Sequence, residues 1–433
     1  MNGAPARAFV NARLVDPASG IDSPGAVLVE DGVIKDLGPR LFADGVPDGI
    51  EATDCGGLVL APGLIDMRVT LHETGETHKE NLHTASQAAI AGGVTTMAVI
   101  PAPNQAIETP AQVEYLISRG RETGLTDLRP YGSITRGAKG ETLTEMGLLS
   151  EAGAVGFTEG HKALADADTM RRALSYSTRF GLPLMQHPEE PSLAAGGQIN
   201  EGEISTRLGL KGIPVAAEVI VIERDLRLLE LTGGRYHVAH VTTAAGIGAI
   251  RAAKDRGLPV TCDTAPPYFG LNETSVGDYR TFAKLSPPLR TESDRQAVVA
   301  GLEDGTIDAI ASDHLPQDPD SKRLPFAQAE PGAIGLETLL PLTLELYHGG
   351  TLSLGQALAR VTCAPARILG LQAGRLAKGA PADFVLIELD APWIIREADL
   401  GSKSKNTLFD GRPVQGRCRA TVFRGRTVFS QDA

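Results

Sequence analysis

The chain has 433 residues, 42% hydrophobic and 22% charged, a globular composition that excludes small cross-linked scaffolds, fibrous repeats and a predominantly disordered chain. Its 53 Asp and Glu outnumber 41 Lys and Arg, for a formal net charge of -12, which argues against any general affinity for nucleic acid or anionic membrane. No apolar run reaches the roughly 18 residues of a membrane span, and Met1 to Val10 lacks the charged and apolar regions of a secretory signal, so a cytoplasmic protein is expected. The four cysteines, Cys55, Cys262, Cys363 and Cys418, form no CxxC pair and read as free, buried thiols.

Residues 8 to 60 read as short strands: AFVNARLVDPASG, GAVLVEDGVIKDLG and IEATDCGGLVLAPG alternate apolar positions and end at Gly, Pro or Asp. Apolar runs of strand length then alternate with amphipathic stretches: TTMAVIP, LRPYGSI, GAVGFTE, LPLMQH, RYHVAHV, LPVTCDT and IDAIASD. This is the rhythm of a parallel sheet, and the repetition predicts an α/β fold of the (β/α)8 barrel type. A doubly wound sheet is the alternative, but no GxGxxG opens a helix after the first strand. Strand character returns at the end in GRLAKGAPADFVLIELD and GRCRATVFRGRTVFS. Residues 1–61 and 375–433 are therefore expected to form a small β-sandwich domain beside a barrel at 62–374, with Phe384 and Trp393 in its packing.

Functional groups of such a barrel sit at the carboxyl ends of its strands. Asp66, Glu159, His187, His240 and Asp313 each end or closely follow an apolar run. One such residue is ordinarily a cap or a loop hydrogen-bonder; five together point to a site. His187 in LPLMQHPEE and His240 in RYHVAHVTT suit a divalent metal, and Asp313 in AIASDH suits a ligand or a base that takes a proton from water. The alternative is that each is a satisfied polar residue near the barrel mouth.

Six segments narrow the choice: LAPGLIDM at 60–67, AAIAGGVTTM at 88–97, KLSPPLRTESDR at 284–295, GTIDAIASDH at 305–314, GAIGLETLLPL at 332–342 and SKSKNTLFDGR at 402–412. In these, and essentially from end to end, the chain resembles the dihydroorotase family of cyclic amidohydrolases. The resemblance implies a (β/α)8 barrel with a small β-sandwich built from both chain ends. It also implies zinc-dependent opening or closing of the dihydroorotate ring.

The family's site residues are matched incompletely. After PGLIDM the family pattern is H-x-H-x-R, two zinc-ligating imidazoles and a substrate-binding arginine; here stand Arg68, Val69, Thr70, Leu71 and His72. A guanidinium has no lone pair to give and repels a divalent cation, and His72 is offset along the strand from both ligand positions. GFTEGHKAL corresponds to the family's F-[ST]-D-D-G, whose aspartate bridges two metals in one subgroup. Glu159 takes that place, with an extra methylene that moves its oxygen by about 1.5 Å, and Lys162 is expected to face solvent. The asparagine of M-P-N-T, which binds the substrate carboxylate, is Ala102; P-H-H ends in Tyr268; N-P-P-L-R begins with Ser286; and the final histidine of D-H-A-P-H is Gln317. What remains for a metal is His187, His240 and Asp313, with Glu159 on its longer arm.

Three readings follow. In the first, the chain resembles the family members that lack the H-x-H ligands and act as non-catalytic partners of aspartate carbamoyltransferase in pyrimidine biosynthesis. That resemblance implies this partner, self-association and no cofactor. In the second, the chain is an active metal-dependent dihydroorotase, or a hydrolase of a related cyclic amide such as a hydantoin. It would then hold at most one weakly bound zinc, with Asp313 as general base. A small-molecule binding or regulatory role on the same barrel is a third.

Overall fold

The computed structural model describes residues 6–73 and 75–431. The alternating amino-terminal segments form β1 (Arg7–Asp16), β2 (Ile21–Glu30), β3 (Val33–Gly38), β4 (Glu51–Asp54) and β5 (Val59–Pro62). One residue later the chain enters β6 (Leu64–Thr70), followed by β7 (Val94–Ile100), β8 (Asp127–Pro130) and β9 (Gly132–Ser133). Next come β10 (Phe157–Thr158) and β11 (Pro183–Gln186), then β12 (Ile199–Asn200) and β13 (Gly212–Ile213), which pair only with each other. The set ends with β14 (Arg235–Val238), β15 (Val260–Thr264) and β16 (Ala309–Ile310).

Parallel ladders join β6 to β7 to β8, and β9 through β10, β11, β14 and β15 to β16. At Tyr131, between β8 and β9, the backbone N–H bonds Val99 O, and the next N–H, of Gly132, bonds Gly156 O, so β8 and β9 act as one stave. The ring closes where Thr70 N–H donates to His314 O at 2.9 Å beside a parallel bridge from Val69 to His314. This is the (β/α)8 barrel that the alternation of runs predicts. Every residue of β6, β7 and β11 is buried, as expected of strands covered on one face by helices and on the other by the barrel interior. The AGGVTT turn shows why the sequence is fixed there. Gly92 caps the helix Leu82–Ala91, and a Cβ on it would lie 2.2 Å from Leu336 O; Gly93 has φ 82°, a region that side chains disfavour.

The carboxyl end supplies β17 (Phe384–Ile394), β18 (Pro413–Phe423) and β19 (Arg426–Ser430). Both chain ends merge in one eight-stranded sheet, ordered β19-β18-β17-β5-β1-β2-β3 with β4 beside β1. Phe9, Leu14, Val27, Ile34, Leu60 and Phe384 are fully or almost fully buried in its core, each contributing about 1.5–3 kcal/mol. Phe9 and Phe384 meet edge to face at 4.8 Å, and Trp393 donates its indole N–H to Gly416 O at 3.0 Å. The four cysteines are free; Cys363 is partly exposed and the other three are buried. Among the described residues no helix is long and apolar enough to cross a membrane.

Candidate functional site at the barrel mouth

Alternation along β6 sends Arg68 and Thr70 to one face, at the carboxyl end of the barrel. The Arg68 side chain is 1% exposed. Its Nε donates to Asp313 Oδ1 at 3.0 Å, Nη2 to Gly160 O at 3.2 Å, and Nη1 meets Met185 Sδ at 3.8 Å. Asp313 follows β16 with φ 52°, a left-handed conformation that aspartate tolerates better than most residues. The same Oδ1 lies 3.2 Å from His240 Nε2. His240, just after β14, donates Nδ1–H to Asp263 Oδ1 at 2.6 Å, and Asp263 Oδ2 is 3.3 Å from His237 Nε2.

The electrostatics follow from these contacts. Burial alone would lower the His240 pKa, but the Asp263 and Asp313 carboxylates outweigh it and raise it to about 9. Burial would raise Asp263; His240 and His237 hold it down at about 2. Asp313 is likewise held well below the ordinary carboxylate range, against burial, by His240 and Arg68. At neutral pH two cations, Arg68 and His240, therefore face two anions, Asp313 and Asp263, and the cluster is neutral overall.

Two uncharged imidazoles flank it. His161 Nε2 is 2.9 Å from Thr70 Oγ1, and burial together with the Arg68 cation pushes its pKa down to about 3. His187 Nε2 is 3.2 Å from Ser286 Oγ, which donates on to Glu189 Oε1 at 3.3 Å; burial and Arg68 hold His187 neutral. Tyr268 donates its hydroxyl to Pro287 O at 2.9 Å with its ring 6.0 Å from His240.

The structure thus brings His187, His240 and Asp313 together, but around a guanidinium rather than around an open coordination position. Glu159 does not join them. Its Oε1 accepts Thr135 N–H at 2.7 Å, and burial pushes its pKa up to about 7. The longer side chain reaches a backbone amide of the neighbouring stave instead of the cluster. His72 is buried, its Nδ1 3.6 Å from Glu76 Oε2; burial lowers its pKa. Ala102 is a buried methyl. Gln317 is used structurally, donating Nε2–H to Pro331 O and its backbone N–H to Asn406 Oδ1. Asp66 ties strand ends together, its Oδ1 accepting N–H from Arg68 and from Ser312, and burial raises its pKa to about 6.

The donor set does not fit a divalent metal. His240 has a carboxylate at each nitrogen, Asp313 is spent on two cations, and a fixed positive charge stands among them. Among the described residues no group of three or more His, Cys, Asp or Glu side chains is arranged to hold a metal ion. Sequence reasoning missed His161, which follows Glu159 by two residues in GFTEGHKAL, and Asp263, the last residue but one of the run LPVTCDT. A carboxylate near the carboxyl end of an otherwise apolar run is the signal that marks Asp263.

A family model described as dihydro-orotase-like matches residues 57–245, and an amidohydrolase family model matches residues 335–429. The chain is 46% identical over 419 residues to the dihydroorotase of Pelobacter propionicus, covering 97% of this chain and 98% of that one. The chain belongs to the dihydroorotase family. A second dihydroorotase, from Wolbachia sp. subsp. Brugia malayi, is 45% identical over 426 residues, 98% of this chain and 96% of the other. The solved L-hydantoinase (dihydropyrimidinase) from Arthrobacter aurescens superposes with a TM-score of 0.86 at 25% identity, over 99% of this chain and 96% of its own. The barrel and end sheet of the amidohydrolase fold are thus present over the whole length of the chain.

Proposed function

We propose that this dihydroorotase-like protein of pyrimidine biosynthesis does not itself open or close the ring, and that it supports the assembly of aspartate carbamoyltransferase, associating with itself in the complex. The observation that carries the proposal is the Arg68 guanidinium seated on Asp313. Hydrolysis of a cyclic amide needs an activated water and a base matched to it. Asp313 is the base to which the sequence points, and its proton affinity is depressed by the cations on either side. The substrate carboxylate meets a methyl group at Ala102 where the family pattern offers an amide. Each lost charge-assisted contact removes about 1.5–3 kcal/mol of orienting energy. The partner reading rests on the resemblance to family members that lack the H-x-H ligands.

One observation favours the other reading, an active dihydroorotase or related cyclic amidase: the end-to-end identity of 46% to a protein named dihydroorotase. The two separate in one experiment. Purified protein is assayed for dihydroorotate hydrolysis with and without added zinc, and is then tested for co-purification with aspartate carbamoyltransferase from the same organism. No turnover together with a stable complex supports the proposal. Zinc-dependent turnover that is lost in Asp313→Ala contradicts it, and absence of a complex removes the partner role.

A further inference from the structure

The cluster at the barrel mouth is shaped for a planar cation. The Arg68 guanidinium reaches two oxygen acceptors at ordinary N–H···O distances, Asp313 Oδ1 from Nε at 3.0 Å and Gly160 O from Nη2 at 3.2 Å. They come from separate staves: Asp313 after β16, Gly160 after β10, with Met185 on β11. None belongs to β6, which carries the arginine, and each is fixed independently of it. Asp313 is held by His240. Gly160 has φ 70°, and a Cβ there would lie 2.6 Å from Pro101 O, so only glycine allows this carbonyl its direction.

We infer that Asp313, Gly160 O and Met185 form a guanidinium site in their own right, which the chain fills with its own Arg68 and which takes up a free guanidinium-type cation once that side chain is shortened. The inference rests on the preceding reading that the mouth holds an internal cation instead of a metal, and it predicts something further, a latent binding site.

The test is thermal melting of the full-length Arg68→Ala variant in millimolar guanidinium chloride, with sodium chloride, urea and zinc chloride as parallel arms. Binding to the folded state stabilises it by RT ln(1 + [L]/Kd), so the melting temperature keeps rising with the logarithm of ligand concentration once that exceeds Kd. The unaltered chain is expected to respond to none of the four. Arg68→Ala is expected to rise by several degrees with guanidinium alone, and Arg68→Ala combined with Asp313→Asn is expected to lose that rise. If Arg68→Ala does not fold in plain buffer, the readout becomes refolding yield, recovered by millimolar guanidinium and not by urea. Stabilisation by zinc without a response to guanidinium overturns the inference, because the mouth is then a masked metal site; no response to either cation overturns it too. None of these readouts uses turnover, so dihydroorotate hydrolysis by the unaltered chain would remove the functional proposal while leaving this result to stand or fall separately.

Discussion

Two buried arginines lie at the carboxyl end of the barrel, and they are held in different ways. Arg68 makes a direct ion pair with Asp313 at 3.0 Å, with side-chain exposures of 1% and 13%. Arg290 is surrounded mainly by neutral acceptors: Thr242 Oγ1 at 3.2 Å, Asn200 Oδ1 at 3.0 Å and Ile213 O at 3.1 Å. Its nearest carboxylate, Glu218, stands 3.8 Å away and is already engaged by the N–H groups of Thr242 and Thr243 and by the Thr243 hydroxyl. Arg290 therefore staples the loop carrying β12 and β13 to the segment after β14, and its charge is secondary. For Arg68 the charge is the function, since it offsets a carboxylate that the barrel keeps ionised.

Removing each arginine separates the two roles. Arg68→Met leaves Asp313 and Asp263 facing a single imidazolium, and the expected loss is about 3–5 kcal/mol in urea denaturation. Adding Asp313→Asn should recover part of it, giving a coupling energy in a double-mutant cycle; a loss below about 1 kcal/mol would place Arg68 with ordinary surface pairs.

Arg290→Met is expected to lose about 1.5–3 kcal/mol, the value of buried hydrogen bonds to a charged group. Its coupling to Glu218→Gln should be smaller than that between Arg68 and Asp313. Equal couplings would erase the distinction between staple and counter-charge.

Glu159→Gln sharpens the contrast from outside the cluster, in the opposite direction. Burial raises the Glu159 pKa from 4.5 to about 7, so the native state holds the proton more tightly than the unfolded chain. Stability falls as pH rises between those values. The glutamine variant should match the unaltered chain at pH about 4 and exceed it by on the order of 2 kcal/mol at pH about 8. A variant less stable at both pH values would mean that the carboxylate is paired after all. The smallest effect belongs to Thr70→Val, which removes only the hydroxyl contact to His161 and should change stability by about 1 kcal/mol or less.

The barrel was legible because its staves are buried on both faces. They read as apolar runs, and the runs quoted from the sequence overlap β7 through β11 and β14 through β16 to within one residue. The closure of the ring by Thr70 and His314 was not legible, because it joins positions far apart in the chain through one backbone bond. At the mouth, residue chemistry alone identified Arg68 as a group that cannot ligate. Its partner was hidden, since Asp313 lies 245 residues away and a strand-end aspartate looks the same whether it faces a metal, a water or a guanidinium. Motif alignment placed Glu159 at a ligand position, but one methylene redirected it to Thr135. Spacing along a motif gives the stave; only packing gives the direction of the side chain.

The most direct test is a crystal structure of the unaltered protein grown with excess zinc, with anomalous diffraction recorded at the zinc edge. The Arg68 guanidinium is expected on Asp313 and Gly160, with no zinc peak among His161, His187, His240 and Asp313. A zinc ion ligated by His240 and Asp313, with Arg68 swung aside, would contradict that placement.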